Sequence, residues 1–179
     1  MDYRIILLRG VNVSGKNLIR MDLLKSVLKE AGIEDPKTYI QSGNLILKST
    51  LADRALEKTV HELIQEKFGN SIQCFAFDRR QWKDFIQNQP FDLSRYDQKR
   101  VYCCLFHEKP DPENMKLLNS RMAAGEEAIA HGQCIYLYYA NGAGTTRLTN
   151  AAIEKKLNMP ATTRNWNTMQ KLLAMAYEK

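Results

Sequence analysis

Residues 37–48 have the sequence KTYIQSGNLILK, in which two short strand-forming runs flank a glycine turn. Lys37 to Ile40 and Asn44 to Lys48 are the predicted strands, and Gln41-Ser42-Gly43 is the predicted turn between them. Gly and Asn both tolerate the positive φ angles that tight hairpin turns require. The stretch therefore predicts an antiparallel hairpin in the first half of the chain.

Helical and strand patterns flank this hairpin on both sides. Before it, the apolar run of residues 3–9 predicts a buried strand, and residues 24–31 carry apolar side chains at helical spacing. After it, residues 56–68 form a second amphipathic pattern that ends at Gly69, and residues 72–77 predict another strand. The resulting order, β-α-β-β-α-β, is that of the ferredoxin-like unit.

The second half of the chain repeats part of this order. Residues 100–106 predict a strand, a helix follows Pro112, and residues 127–139 predict a hairpin. Helices are predicted over residues 145–158 and from Trp166 onward. Only the order of elements is repeated, because the two halves share no convincing sequence repeat.

These patterns predict an α+β protein built from two ferredoxin-like halves of the β-α-β-β-α-β type with mostly antiparallel sheets. The first half spans residues 1–78, and a linking helix and loop span residues 79–98. The second half spans residues 99–179 and is expected to be ferredoxin-like in part.

Charge and composition narrow the class of partner. The chain has 179 residues, with 26 Lys and Arg against 20 Asp and Glu, which gives a net charge of +6. This balance favours acidic partners such as phosphate esters or nucleic acid, although a merely soluble basic surface has the same composition. No apolar run approaches the roughly 18 residues that span a bilayer, so we expect a cytoplasmic protein without membrane contact. The four cysteines form no C-x-x-C pair and lie in predicted strands, which predicts free thiols in a reducing compartment.

Gly10 to Asn17 has the sequence GVNVSGKN, which is one residue short of a Walker A loop and follows a predicted buried strand. Asn17 stands where a Ser or Thr hydroxyl would hold Mg²⁺, and the order of elements does not fit a parallel nucleotide-binding sheet. We therefore predict no nucleoside triphosphate hydrolysis. Two interpretations stay open: a looser anion-binding loop that uses Lys16 and exposed amides, or a purely structural loop.

Thr38 to Asn44 places polar side chains around Gly43. The functional interpretation is a polar loop that lines a cleft. The structural interpretation is a hairpin turn, for which Ser-Gly-Asn has suitable chemistry.

Two further polar segments precede predicted helices. In Asn141 to Arg147, two glycines allow backbone amides to approach a ligand, and Thr145 or Thr146 is a predicted helix cap. In Ala161 to Thr168, Thr162 or Thr163 is expected to cap the last helix, with Arg164 on its polar face and Trp166 in the core. An ordinary connection and a solvated helix face are the structural alternatives.

Metal, cofactor and nucleic-acid signals are weak. His61-Glu62-Leu63-Ile64-Gln65 resembles a zinc motif, but Gln65 replaces the second histidine, so we predict no metal site and no cofactor. Tyr136, Tyr138 and Tyr139 offer rings for stacking on RNA bases, yet no RNP-type motif accompanies them. A Cys–His nucleophile pair formed in space stays open, as does whether the protein is an enzyme.

Three motifs together resemble a known bacterial family, the domain of unknown function 1697. They are Leu7 to Asn17, Thr38 to Asn44, and Ala161 to Trp166. They occur in the family's order and span nearly the whole chain, with Ser14 standing where the family usually has glycine. The resemblance implies a two-domain, ferredoxin-like α+β fold. It implies no activity and no catalytic residue.

The sequence thus predicts a small phosphate- or carboxylate-bearing ligand in a basic cleft between the halves. The alternatives are a nucleic-acid-binding module and a structural or dimerising protein. Polar and cationic residues from all the loops above form the candidate anion site: Arg9, Asn12, Lys16, Asn17, Gln41, Ser42, Asn44, Arg147, Arg164 and Asn165.

Overall fold

A computed structural model describes residues 2–120 and 122–178, and these residues form eight strands and six α-helices. In chain order the elements are β1 (Asp2–Leu8), α1 (Met21–Glu30), β2 (Glu34–Tyr39), β3 (Asn44–Ser49), α2 (Asp53–Phe68), β4 (Cys74–Asp78), α3 (Arg79–Gln87), β5 (Val101–Phe106), α4 (Pro112–Asn119), β6 (Glu126–His131), β7 (Cys134–Tyr139), α5 (Asn150–Leu157), β8 (Ala161–Asn165) and α6 (Trp166–Tyr177). A short 3₁₀ helix, Gln98–Arg100, precedes β5.

The chain divides into two compact units. The first comprises Met1–Asp84 with Leu172–Lys179, and the second comprises Phe85–Lys171. The first unit contains a four-stranded sheet in the order β2-β3-β1-β4, and the second contains one in the order β6-β7-β5-β8. All neighbouring strands are antiparallel. This confirms the predicted pair of antiparallel α+β halves, and both sheets have the complete ferredoxin-like strand order.

Strand β8 is an element that the sequence analysis missed. It pairs with β5, so that Cys103 lies opposite Arg164 and Leu105 lies opposite Thr162. The expectation that Thr162 or Thr163 caps the last helix is therefore wrong, because both threonines belong to a strand, where β-branched side chains pack well. Arg164 also lies in this strand and not on the polar face of α6.

The start of α5 also differs from the prediction. The expected helix over residues 145–158 begins at Asn150, and the Thr149 hydroxyl accepts the Ala152 N–H at 3.2 Å as its N-cap. The predicted capping role of Thr145 or Thr146 is wrong. The Thr145 hydroxyl instead donates to the Asn141 carbonyl at 3.0 Å, which stabilises a turn ahead of the helix.

Each unit packs two helices against one face of its sheet, α1 and α2 in the first unit and α4 and α5 in the second. In the first unit, Ile6 and Leu45 meet the apolar face of α2, and in the second, Phe106 and Ile135 meet Ile153 of α5. Full burial of each such side chain contributes about 1.5–3 kcal/mol. The opposite sheet faces are also buried, which explains why β1 and β5 are nearly continuous apolar runs without strict alternation.

The four cysteines are free and buried. Burial raises the pKa of the Cys74 and Cys104 thiols to about 12, so both are protonated at neutral pH. A protonated, buried thiol is a poor nucleophile. These two residues therefore pack as small apolar side chains.

Candidate functional site

The Gly10 to Asn17 loop that follows β1 has an unusual backbone. Five of its residues have positive φ angles, between 48° and 75°: Gly10, Asn12, Ser14, Gly15 and Asn17. Three of the five are not glycine; asparagine tolerates this conformation better than most residues, but a loop with several such residues has to be held in shape by its surroundings. Hydrogen bonds supply that constraint.

Asn12 anchors the loop to the β2–β3 hairpin. Its Nδ2 donates to the Ile19 carbonyl at 2.9 Å and to the Gln41 carbonyl at 2.7 Å. Its Oδ1 accepts the Ile19 N–H at 2.9 Å. The amide thus makes three hydrogen bonds to backbone, and it brings two of the predicted motifs together.

Gly43 explains the close approach of these motifs. Its φ is +74°, and a Cβ placed there would lie 2.4 Å from Cγ2 of Val11 and 2.7 Å from Cβ of Leu8. Its carbonyl accepts the Leu8 N–H at 2.8 Å. A side chain at position 43 would therefore force the hairpin away from β1 and the loop.

The side-chain amides of Asn17 and Asn44 also form hydrogen bonds with the backbone. Asn17 Nδ2 donates to the Gly10 carbonyl at 3.0 Å. The buried Asn44 donates to the Tyr39 carbonyl at 3.1 Å and to the Ser42 hydroxyl at 2.9 Å. Lys16 lies in the exposed part of the loop, and Arg9 is half-buried at its start. The structure thus groups the predicted residues of the first unit in one hydrogen-bonded pair of loops, and their anion-binding role stays a prediction.

Arg164 and Asn165, from the second unit, are also engaged with backbone. Arg164 is 9% exposed, and its Nη1 donates to the Thr162 hydroxyl and to the Thr163 carbonyl, each at 2.9 Å. Burial lowers the pKa of Arg164 to about 10, so it remains charged at neutral pH. Asn165 Nδ2 donates to the Lys99 carbonyl at 2.8 Å, and its Oδ1 accepts the Asn167 N–H at the start of α6.

Arg147 lines a cavity of about 630 Å³ in the second unit, which we call the α4–α5 cavity. The described lining residues come from the end of α4, the segment before α5, and α5 itself: Leu118, Ser120, Met122, Arg147, Leu148, Ala152, Lys155 and Lys156. None of these residues is acidic. The cavity therefore combines three cationic side chains with an apolar wall.

These three cations have no partner among the residues that the structure describes. The side chains of Arg147, Lys155 and Lys156 form neither an ion pair nor a hydrogen bond with any residue in the described ranges. The nearby carboxylate of Glu154 accepts the Ala161 N–H at 2.8 Å, in the direction of β8. The positive charge that lines the cavity is thus left uncompensated within the described part of the unit.

The loop that carries Arg147 is fixed on both sides. The Tyr139 hydroxyl donates to the Leu148 carbonyl at 2.8 Å, and the Leu148 N–H donates to the Thr146 hydroxyl at 3.0 Å. Leu148 is itself buried, and Thr149 caps α5 directly after it. These contacts fix the backbone next to Arg147 at the edge of the cavity.

Arg147 was among the residues predicted to bind an anion, whereas Lys155 and Lys156 were not. Two adjacent lysines near the end of a helix are typical of residues that complement the helix dipole, so they carry no specific signal. The cavity also depends on the end of α4, about 35 residues earlier in the chain, for which the sequence gives no pairing signal. The cavity becomes apparent only in the folded structure, where α4 and α5 lie next to each other.

The tyrosines considered for base stacking are mostly enclosed. Tyr136 and Tyr139 are almost fully buried, and the Tyr136 hydroxyl donates to the Phe85 carbonyl at 2.8 Å. Tyr138 is half-buried and packs edge-on against Tyr96, with a ring-centroid distance of 4.8 Å. The first two rings are therefore not available to nucleic-acid bases.

Residues 2–120 and 122–178 contain neither a candidate metal site nor a candidate membrane-spanning helix. No group of three or more His, Cys, Asp or Glu side chains there is placed to hold a metal ion. No helix in the same ranges has the length and apolar character needed to cross a bilayer.

Comparisons with known proteins support the fold and the family. The conserved bacterial protein SP0830 from Streptococcus pneumoniae has a similar structure, with a TM-score of 0.70 and 22% identity over 97% of this chain and 98% of that chain. No curated protein matches significantly. The sequence profile described as "Protein of unknown function (DUF1697)" matches residues 1–136, from the first strand into β7. Because that match covers well over half of the 179 residues, as the three motifs led us to expect, the chain belongs to the DUF1697 family.

Proposed function

We propose that this protein binds a small molecule with a phosphate or carboxylate group and an aliphatic portion in the α4–α5 cavity. The observation that supports this proposal is a set of three cations, Arg147, Lys155 and Lys156, that surround one cavity and have no partner among the described residues. None of the described lining residues is acidic. Like charges that face a common space repel one another, and a bound anion converts this repulsion into attraction.

The anionic group of the ligand has two kinds of partner. Arg147 offers a planar fork of donors that matches the two oxygens of a carboxylate or phosphate. Lys155 and Lys156 act as point charges on flexible stems. Each charge-assisted contact contributes about 1.5–3 kcal/mol, so two or three contacts support affinity in the micromolar to millimolar range after the cost of association.

The cavity also selects for an apolar portion. Its volume of about 630 Å³ lies within the range of small-molecule sites and far exceeds what a lone phosphate fills. Leu118, Leu148 and Ala152 form part of its wall, and the first two are buried. An aliphatic chain in contact with this wall adds about 0.8 kcal/mol for each CH₂ group removed from water.

Isothermal titration calorimetry with hexyl phosphate and hexanoate tests the proposal on the full chain. Inorganic phosphate and hexanol serve as probes that each lack one half of the ligand. We expect hexyl phosphate to bind more tightly than either half, since both the charge and the chain contribute. Equal affinity for hexyl phosphate and hexanol would contradict an anion site.

Variants assign the binding to the α4–α5 cavity. Arg147→Gln, Lys155→Gln and Lys156→Gln should each weaken hexyl phosphate binding by roughly 10- to 150-fold. Lys109→Gln is the matched control, because Lys109 is an exposed lysine of the same unit outside the cavity. If the control weakens binding as much as the cavity variants do, the effect comes from net charge and the proposed site is wrong.

A further inference from the structure

A second cavity, of about 410 Å³, lies in the first unit, where β4 leads into α3; we call it the β4–α3 cavity. Its described lining carries four cations, two carboxylates and one aromatic ring: Asp2, Arg4, Asp78, Arg79, Arg80, Lys83 and Tyr177. None of these residues belongs to the predicted anion site or to the α4–α5 cavity. The two cavities are therefore independent features.

Both carboxylates of this cavity are already engaged. Asp2 pairs with Arg79 at 3.0 Å. Asp78 accepts the Gln81 N–H at 2.7 Å as the cap of α3, and it lies 3.9 Å from Nη1 of Arg4. Arg4 has its shorter ion pair with Asp53, at 2.8 Å. The acidic residues thus neutralise Arg4 and Arg79 and leave the rest of the lining positive.

Arg80 and Lys83 are the uncompensated cations. Both side chains are exposed, and neither forms an ion pair or hydrogen bond with a residue of the described ranges. They lie three residues apart on α3, a spacing that places them on the same face of the helix. Two unpaired cations thus border one side of the cavity.

Helix stability does not explain these cations. Arg79, Arg80 and Lys83 lie among the first five residues of α3, and the first turn of the helix contains no acidic residue. Cations near a helix N-terminus oppose the helix dipole, and Arg79 and Lys83 are like charges at i and i+4. Positions that work against local stability are typical of functional sites.

Tyr177 adds a planar apolar surface. The residue is 54% exposed, and the Arg79 guanidinium lies 5.1 Å from the centre of its ring. This contact and the ion pair with Asp2 fix the orientation of Arg79. The cavity therefore offers an aromatic ring next to free positive charge.

We propose that the β4–α3 cavity binds a phosphate monoester that carries a planar ring, of the size and chemistry of a nucleoside monophosphate. Arg80 and Lys83 hold the phosphate, and Tyr177 contacts the ring. The cavity volume fits a ligand of this size. This proposal does not depend on the aliphatic-ligand site proposed in the second unit.

Calorimetric titration of the full chain with adenosine monophosphate tests the inference, with adenosine and inorganic phosphate as partial probes. Arg80→Gln and Lys83→Gln should each weaken adenosine monophosphate binding at least about tenfold. Tyr177→Leu should weaken binding of the nucleotide but not of inorganic phosphate. Equal binding of adenosine and its monophosphate, or unchanged affinity in both glutamine variants, would overturn the inference.

Two controls separate this site from general charge and from the α4–α5 cavity. The double variant Lys29→Gln/Lys67→Gln removes two exposed lysines of the same unit and should leave nucleotide binding unchanged. Arg147→Gln should not abolish it, because the β4–α3 cavity keeps Arg80 and Lys83. If Arg147→Gln abolishes nucleotide binding while Arg80→Gln does not, the nucleotide occupies the α4–α5 cavity and this inference is wrong.

Thermal unfolding distinguishes a binding role of these cations from a structural role, because the two roles predict changes in Tm of opposite sign. Because Arg80 opposes the helix dipole and Lys83 lies one turn from the like charge of Arg79, Arg80→Gln and Lys83→Gln should raise the Tm of the unliganded protein by roughly 1–3 °C. A fall in Tm for both variants would show that the two cations stabilise the fold, and it would overturn the inference.

Discussion

Replacement of Asn12 by alanine tests how the Gly10 to Asn17 loop is held. The change removes three hydrogen bonds of 2.7–2.9 Å to backbone groups of Ile19 and Gln41. Each contributes about 0.5–1.5 kcal/mol net. Asn12 also has a φ of 54°, a conformation that costs alanine about 1 kcal/mol more than asparagine. We therefore expect Asn12→Ala to lower the free energy of unfolding by roughly 2.5–5.5 kcal/mol.

Two further variants separate the backbone effect from the hydrogen bonds. Asn12→Gly loses the same bonds without the φ penalty and should destabilise about 1 kcal/mol less than Asn12→Ala. Asn12→Asp keeps an acceptor for the Ile19 N–H but turns a carboxylate oxygen towards two carbonyls, so it should destabilise at least as much as alanine. Urea unfolding followed by far-ultraviolet circular dichroism gives all three values.

Hydrogen exchange supplies a local readout for the same prediction. The Ile19 amide donates to Asn12, so its exchange should accelerate in Asn12→Ala more than that of amides in β1. If alanine and glycine variants both unfold within about 0.5 kcal/mol of the parent and Ile19 exchange is unchanged, the amide is not what holds the loop. The loop would then be held by packing alone.

Two other predictions concern Gly43 and Cys104. Gly43→Ala should lower the free energy of unfolding by roughly 2–5 kcal/mol, because of the positive φ at this position and the clash with Val11. Gly10 has a similar φ of +65° but open space around it, so Gly10→Ala should lower it by only about 1–2 kcal/mol in the same urea assay. Equal costs would contradict the clash. Burial raises the pKa of the Cys104 thiol from 9.0 to about 12. The contribution of the buried, protonated thiol to the free energy of unfolding is therefore fully present below about pH 9 and is lost as the pH rises towards 12. Between about pH 9 and 11 the unfolding free energy of the parent should fall more steeply than that of Cys104→Ala, by at most about 1.4 kcal/mol per pH unit; parallel curves would refute this.

The fold could be predicted from the sequence because its main signals are local. The Ser-Gly-Asn turn and the apolar runs of β1 and β4 need no knowledge of distant residues. Strand β8 was missed because its sequence, ATTRN, lacks an alternating apolar pattern. Its polar side chains are buried only because β5 pairs with it and because Arg164 and its neighbours hydrogen-bond to one another. The pairing with β5, which the local pattern does not reveal, thus defines this strand.

The candidate site was harder to predict because polar side chains do not reveal their partners. Asn12 and Asn44 were chosen as ligand contacts, and the structure shows both amides donating to backbone carbonyls. A sequence shows that a side chain can donate a hydrogen bond, but not which group accepts it. The opposite problem arises for Lys155 and Lys156, because their proposed role rests on their having no ion pair with a described residue, which a sequence does not show.

The two units provide an internal comparison for the proposed ligand site, since they share one topology. In the first unit, the end of α1, the segment after β3, and α2 also enclose a cavity, of about 220 Å³, at the place that corresponds to the α4–α5 cavity. Its charged lining residues, Glu34 and Lys48, form an ion pair at 3.2 Å. The shared fold thus creates a cavity at this place in both units, but it does not dictate the charge. The first unit neutralises its lysine with a glutamate, whereas the three cations of the second unit have no partner among the described residues, so their charge is a property of the second unit's own sequence. A bound anion is the partner that we propose for them.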